Sequence, residues 1–229
     1  MIKGIVFDLD HTLFDRYKTM ETVLPIMYKW LPHIIYKDLS CKDFIKGIIK
    51  CDRENMHKGW GPTFEALKKE KIISADADIN EFISFLTTEC WPVAAVKFPF
   101  TEPTLTYLKN KGYKLGLITN GIYEPQKMKV DMLGLADYFD EMVFCGLLPK
   151  QKPDTLPFEE MSKRLKLSPD ELMYVGDNPL NDVEASRNAG YTPVWINTTK
   201  TWIFPEIKHA EYELDTIEGL PELLRKINI

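Results

Sequence analysis

Cysteine and long hydrophobic runs are scarce in this sequence, and there is no excess of positive charge. The four cysteines, Cys41, Cys51, Cys90 and Cys145, lie far apart and form no CxxC pair. This spacing argues against a zinc site or a disulfide framework and favours reduced thiols in a cytosol. A net charge of −5 gives no electrostatic reason to expect a nucleic-acid polymer or an anionic membrane as a partner. No segment approaches the ~20 apolar residues of a membrane span, so we predict a soluble cytoplasmic protein.

What the sequence does contain is an alternation of short apolar runs with helical patterns, at its start and again after residue 99. The predicted strands are "IKGIVFDL", "YKLGLIT", "EMVFCG", "LMYVGD" and "TPVWIN". The predicted helices are "TLTYLKNKG", closed by Gly112, "TLPFEEMSKRLK", and "LNDVEASRNAG", closed by Gly190. Such alternation predicts an α/β fold, with a Rossmann-like parallel sheet covered by helices on both faces.

A long helical stretch interrupts this alternation. From about residue 16 to residue 95 the apolar residues recur at spacings of three and four, and no convincing strand intervenes. A connection of that length is far more than a strand-to-strand crossover needs. We therefore predict an α/β core domain formed by residues 1–15 and 99–229, with residues 16–98 inserted as a small helical cap domain.

Four short stretches at or just after the ends of predicted strands carry polar residues of complementary kinds, acidic in some and basic or neutral in others. They are Asp8, Asp10 and Thr12 in "DLDHT", Thr119, Asn120 and Gly121 in "ITNG", Lys152 in "KQKPD", and Asp177 and Asp182 in "VGDNPLND". Ligands bind at the carboxyl ends of strands in open α/β sheets. In an extended chain Asp8 and Asp10 would point to the same side. Converging carboxylates require a hard divalent cation, and the lysine and the donors suit an anion beside it, so a phosphate bound to Mg²⁺ fits both.

These stretches, in this order and with a helical insert after the first, resemble the haloacid dehalogenase-like superfamily in its phosphatase branch. The resemblance covers nearly the whole chain. It implies that Asp8 is the nucleophile that takes the phosphoryl group and that Asp10 is the general acid and base. It also implies that Lys152 neutralises charge between the nucleophile and the phosphate.

The resemblance further implies which residues bind the phosphate and the metal ion. The phosphoryl oxygens would be held by Thr119, Asn120, Gly121 and Lys152. The Mg²⁺ ligands would be Asp8, the backbone carbonyl of Asp10 and Asp177, with Asp182 either ligating through water or orienting the shell of ligands. Two of these assignments have a competing interpretation. Asp182 could be an acidic residue favoured in the first turn of a helix, and the nearby Lys150 could take the role given to Lys152.

The function implied is a Mg²⁺-dependent phosphatase that acts on a small phosphorylated metabolite through an aspartyl-phosphate. A sugar phosphomutase of the same superfamily and a non-catalytic ligand-binding module remain as alternatives. Dehalogenation is disfavoured, because that branch needs no metal and lacks the second aspartate, here Asp10. In the insert, Trp60 in the loop "HKGWGP" could contact the substrate, with ordinary packing as the competing interpretation.

Overall fold

The chain folds into two compact units in a computed structural model. The structure describes residues 1–56, 58–197, 202 and 204–227, and it describes Pro92 and Val93 by their backbone alone. One, here called the α/β unit, contains Met1–Asp15 and Lys97–Ile229. The other, the helical unit, contains Arg16–Val96. Within the described part of the chain, no helix combines the length and the apolar character that crossing a membrane requires.

The helical unit is built on an apolar core. Its helices are α1 (Arg16–Trp30), α2 (Cys41–Glu54), α3 (Trp60–Lys69), α4 (Ile79–Ser84) and α5 (Trp91–Ala94), with a π-helical segment, Phe85–Cys90, between the last two. Apolar side chains at spacings of three and four, such as Met20, Val23, Leu24 and Met27 in α1, turn one helix face into that core. The unit ends two residues before the boundary predicted at residue 98; that it is a cap domain of its own stays a prediction.

The α/β unit contains a six-stranded sheet in which every described strand pair is parallel. The strands are β1 (Gly4–Phe7), β2 (Lys114–Thr119), β3 (Glu141–Phe144), β4 (Leu172–Gly176), β5 (Thr192–Ile196) and β6 (Tyr212–Leu214), in the order β3-β2-β1-β4-β5-β6. This topology confirms the predicted α/β class with a parallel sheet. The sixth strand was not predicted, because "YEL" is short and carries no apolar run.

Helices α6 (Thr101–Asn110), α7 (Tyr123–Met132), α8 (Leu156–Leu165) and α9 (Ala185–Asn188) lie between strands of this sheet in the chain, and α10 (Leu220–Ile227) follows β6. The predicted helix at 180–190 is a π-helical segment, Pro179–Glu184, that continues into α9. Gly112 and Gly190 follow their helices with φ of 82° and 86°, which an L side chain would disfavour.

The sheet order decides where the polar stretches meet. β1 lies between β2 and β4, with Phe7 opposite Leu117 on one side and Val175 on the other. The residues that follow these three strands therefore share one edge of the sheet. The stretches that begin at Asp8, Thr119 and Asp177, far apart in the chain, become neighbours.

Candidate active site

Asp8 is the first residue after the central strand, and the chain turns sharply beyond it. Its backbone N–H donates to Val175 O at 2.9 Å, which ties it to β4. The chain then bends at Leu9, whose carbonyl accepts from both Leu13 N and Phe14 N at 3.0 Å. His11 adopts a left-handed conformation in this turn, with φ of 62°. The extended geometry predicted through Asp10 is thus not found, and the carboxylates of Asp8 and Asp10 contact different lysines.

Lys152 provides the buried cation beside Asp8. Its side chain is 1% exposed, and Nζ lies 2.8 Å from Asp8 Oδ1 and 2.7 Å from Asp182 Oδ1. Nζ also donates to the Tyr174 hydroxyl at 2.7 Å and to Ile118 O at 3.3 Å. Lys150, the competing lysine, is 64% exposed and pairs with Asp154. The geometry therefore brings Lys152, and not Lys150, to the acidic residues.

Three buried carboxylates form a cluster at this edge. Ligand atoms of Asp8, Asp177 and Asp182 all lie within 4.8 Å of one another. A Cβ on Gly176 would come within 2.5 Å of the Asp182 carboxyl, so glycine is needed there for the close approach. The Asn178 backbone N–H donates to Asp182 Oδ2 at 2.9 Å and fixes that carboxylate. Three buried carboxylates supply the oxygen donors that Mg²⁺ prefers, so the residues present fit this ion.

The electrostatics of the cluster point to an excess of negative charge. Burial raises the pKa of Asp8 to about 7, Asp182 and Asp10 add to the rise, and Lys152 opposes it. Burial, followed by repulsion from Asp182 and Asp8, raises the pKa of Asp177 well above its usual range. Burial lowers the pKa of Lys152, but attraction from Asp182 and Asp8 outweighs it and leaves the pKa well above its usual value. A divalent cation in the cluster would stabilise the ionised carboxylates.

The residues after β2 contact the loop that carries Lys152 and also helix α7. The Asn120 side chain accepts from Lys152 N at 3.0 Å and donates to Lys152 O at 2.9 Å, so it holds the lysine's backbone. Gly121 N donates to Gln151 Oε1 at 3.2 Å, and its φ of 110° suits glycine. Thr119 is 1% exposed, and its hydroxyl oxygen accepts from Gln126 Nε2 at 2.5 Å.

Two polar residues of α7 at this site were missed by the sequence analysis. Lys129 is 1% exposed and its Nζ lies 2.8 and 2.7 Å from the two carboxylate oxygens of Asp10. Gln126 Nε2 lies 3.2 Å from Asp10 Oδ2. A signal was present, because Gln126 and Lys129 share the helical spacing of the buried Val130 and Leu133.

In the helical unit, Trp60 packs among its neighbours. Its ring lies 5.7 Å from the ring of Phe82 and 6.3 Å from that of Trp91. The Arg16 guanidinium lies 4.8 Å from the Trp60 ring and 4.9 Å from the Trp91 ring, and it pairs with Asp52 at 2.8 Å. These contacts favour the packing interpretation of Trp60.

The parallel sheet and the strand-end cluster of carboxylates and lysine define an α/β enzyme whose site suits an anion and a divalent cation. The model of the haloacid dehalogenase-like hydrolase family matches residues 5–196. The chain belongs to this family, as predicted from its motifs, and it is a hydrolase.

Curated relatives are similar to nearly the whole chain. Glyceraldehyde 3-phosphate phosphatase of Methanocaldococcus jannaschii is 29% identical over 99% of each chain. The enzyme of that name from Pyrococcus furiosus is 31% identical over 97% of this chain and 92% of the relative. Among solved structures, the hydrolase YfnB of Bacillus subtilis superposes with a TM-score of 0.74 at 21% identity, covering 97% of this chain and 98% of that one. That likeness supports the fold alone.

Proposed function

We propose that the chain is a Mg²⁺-dependent phosphatase that hydrolyses a small phosphorylated metabolite through an aspartyl-phosphate on Asp8. The observation that carries the proposal is the buried Lys152, whose Nζ lies 2.8 Å from Asp8 and 2.7 Å from Asp182, beside Asp177. A nucleophilic carboxylate, a cation and a metal-ligand cluster are together the parts that phosphoryl transfer to an aspartate needs. The relatives named as phosphatases support the same reaction class.

In the first step, an Asp8 carboxylate oxygen attacks phosphorus and the ester P–O bond breaks. The Asp10 carboxyl gives its proton to the leaving alcohol oxygen, and Lys152 stabilises charge on the phosphoryl group. In the second step, Asp10 takes a proton from water, which attacks the phosphorus and releases inorganic phosphate and the Asp8 carboxylate. Thr119 and the backbone of Asn120 and Gly121 would bind the phosphoryl oxygens.

The acidic cluster would hold the metal ion through Asp8, Asp177 and Asp182, with the Asp10 carbonyl as a further ligand. When bound, Mg²⁺ would supply positive charge to the phosphoryl oxygens. The substrate class is a small phosphate monoester, and the names of the two archaeal relatives make glyceraldehyde 3-phosphate the first compound to test. A cytoplasmic location is part of this proposal.

The test is release of inorganic phosphate from p-nitrophenyl phosphate and from a panel that contains glyceraldehyde 3-phosphate, phosphoglycolate, hexose phosphates and nucleoside monophosphates. We expect Mg²⁺-dependent release that EDTA abolishes. Asp8→Asn should lower kcat by at least about 10⁴-fold, as loss of a catalytic nucleophile does. The control, Asp154→Asn, removes a carboxylate that pairs with the exposed Lys150 and should retain activity.

Each alternative function predicts a different outcome of this assay. A phosphomutase would convert a sugar phosphate into its isomer with little free phosphate, and a binding module would bind a phosphorylated ligand without turnover. Activity that ignores EDTA or survives Asp8→Asn would contradict the mechanism. Chloride release from 2-chloropropionate in the absence of metal would instead indicate a dehalogenase.

A further inference from the structure

Helix α7 directs two buried polar side chains, one helical turn apart, toward the proposed acid and base. Lys129 contacts both carboxylate oxygens of Asp10. Gln126 Nε2 lies within hydrogen-bond distance of Asp10 Oδ2, Thr119 Oγ1 and Asn120 O, at 3.2, 2.5 and 2.8 Å. An amide nitrogen has two hydrogens, so these three contacts share them. The helix thereby links the stretch after β1 to the stretch after β2.

We propose that Lys129 and Gln126 are positioning residues that fix the Asp10 carboxyl for proton transfer and tie it to the phosphate-binding Thr119. The proposal rests on the proposed function, because it gives α7 a role through Asp10. Nothing in the motif resemblance assigns either residue.

The burial of the two partners shows why Lys129 acts through Asp10. The Lys129 side chain is 1% exposed, while that of Asp10 is 26% exposed. The carboxyl is therefore held from the protein side and open on another side, where a leaving group could reach it. Lys129 itself is closed to a substrate. Its Nζ also lies 4.8 Å from the centre of the Phe14 ring, within the range of a cation–π contact.

An ammonium is costly to bury without a specific partner. On the same helix, Lys127 pairs with Asp131, but those side chains are 37% and 49% exposed, as is usual for a helix surface. Lys129 is thus the lysine of α7 whose burial requires an explanation, and the Asp10 carboxyl supplies it. An ammonium can donate to a carboxylate and to the carbonyl oxygen of a protonated carboxyl, so the contact can persist through proton transfer.

The experiment measures how kcat/KM depends on the leaving group. Wild type, Lys129→Met, Gln126→Met, Asp10→Asn and the control Lys127→Met are assayed with an alkyl phosphate and with p-nitrophenyl phosphate. An alkoxide needs a proton as it leaves, whereas p-nitrophenolate needs little help. If Lys129 positions the acid, Lys129→Met should lower kcat/KM about 30-fold for the alkyl phosphate and less than about threefold for p-nitrophenyl phosphate. Gln126→Met should show the same pattern with a smaller loss.

A purely structural role would lower kcat/KM equally for both substrates, and that result for Lys129→Met would overturn the inference. Thermal unfolding and Mg²⁺ binding by calorimetry accompany the assays, and Mg²⁺ affinity should stay within about threefold of wild type. Lys127→Met should match wild type throughout. If Lys129→Met does not fold, Gln126→Met decides: a uniform loss, or none, overturns the inference.

Asp10→Asn separates this inference from the proposed function. Suppose that Asp10→Asn lowers kcat/KM less for p-nitrophenyl phosphate than for the alkyl phosphate, but that Lys129→Met lowers both equally. The proposed mechanism then stands and the positioning role is wrong. If Asp10→Asn itself shows no dependence on the leaving group, Asp10 is not the acid, and both the assigned role and the inference are wrong.

Discussion

The two units of this molecule bury very different side chains. In the α/β unit the described buried charged residues are Asp8, Lys129, Lys152, Asp177 and Asp182. Among the described residues of the helical unit, Asp52 is the one buried charged side chain, and it pairs with Arg16. The rest of that unit's buried surface is apolar apart from two threonines. Under the proposed function, the charge buried in the α/β unit serves catalysis, whereas the helical unit buries mainly apolar side chains, which contribute to stability.

Buried charges are tolerated only when a counter-charge or a metal ion accompanies them. In the α/β unit they concentrate at the edge where β1, β2 and β4 end. A cluster of this kind adds little to stability on its own, since desolvation offsets much of the attraction. Removing one partner of a buried pair should lower stability in either unit, but only changes in the α/β cluster should also lower turnover.

Among the variants that compare the two units, Lys152→Met should have the largest effect. We expect kcat to fall about 10³-fold, because the cation beside the nucleophile is lost. The metal-free protein should lose about 3 kcal/mol of unfolding free energy, since two carboxylates stay buried without their partner. Urea unfolding and p-nitrophenyl phosphate kinetics check this. Lys150→Met should stay within about 0.5 kcal/mol of wild type with full activity, and equal effects at the two positions would refute the assignment.

A change in the helical unit tests the converse expectation, which is a loss of stability without a loss of turnover. Asp52→Asn leaves the Arg16 guanidinium between two indole rings without its carboxylate, and should cost about 3 kcal/mol of unfolding free energy. Turnover of p-nitrophenyl phosphate should change less than about twofold at a temperature where the variant is folded. As the control, Glu21→Gln in an exposed pair of α1 should cost less than about 0.5 kcal/mol. A large loss of turnover with unchanged stability would break the distinction between the units.

A smaller effect is expected at Tyr174, whose hydroxyl accepts from Lys152 at 2.7 Å and donates to Ile118 O at 3.2 Å. Tyr174→Phe keeps the ring and should lower kcat about tenfold, because a hydrogen bond to a charged group is lost. The matched control is Tyr191→Phe, since the Tyr191 hydroxyl bonds Ser162 and Phe158 O in the same core. Both variants should lose about 1 kcal/mol of stability. Equal kcat values in the two variants would show that the Tyr174 hydroxyl does not contribute to turnover.

The smallest effect belongs to a surface charge. Hydrogen bonds from Lys3, then from Ser168, lower the pKa of Glu171 to about 2. A lowered pKa means that the stabilisation is present above the ordinary value near 4.5 and is lost as the pH falls toward 2. The unfolding free energies of wild type and Glu171→Gln should therefore differ at pH 6, and the difference should shrink as the pH falls from about 4.5 toward about 2. A constant difference across this range would show that the glutamate's charge is not the cause.

Most of the fold could be predicted because local patterns are strong where burial is complete. β1, β2 and β4 are fully or almost fully buried and read as continuous apolar runs. The short strand β6 and helices α7 and α10 were missed. In α7 the polar residues Gln126 and Lys129 occupy part of the buried face, which weakens the amphipathic pattern on which prediction depends.

The candidate site was predicted unevenly. Each of its acidic residues stands directly after or near a buried strand, a position that local sequence makes visible. The partners of those residues depend on longer-range geometry. Asp10 faces Lys129, 119 residues away, because the chain bends at Leu9 instead of continuing extended, and nothing in the local pattern indicated this bend.

The sequence by itself determined the class of fold, the family and the residue types available at the strand ends, because burial and strand or helix periodicity are local properties. The motif resemblance already implied Lys152 beside Asp8, but only the tertiary structure paired Lys152 with Asp182 as well and Lys129 with Asp10. The physical reason is that ion pairing depends on distances of a few ångströms between segments that are 30 to 144 residues apart in the chain. Those distances are set by the order of the strands and by the turn that follows the first of them.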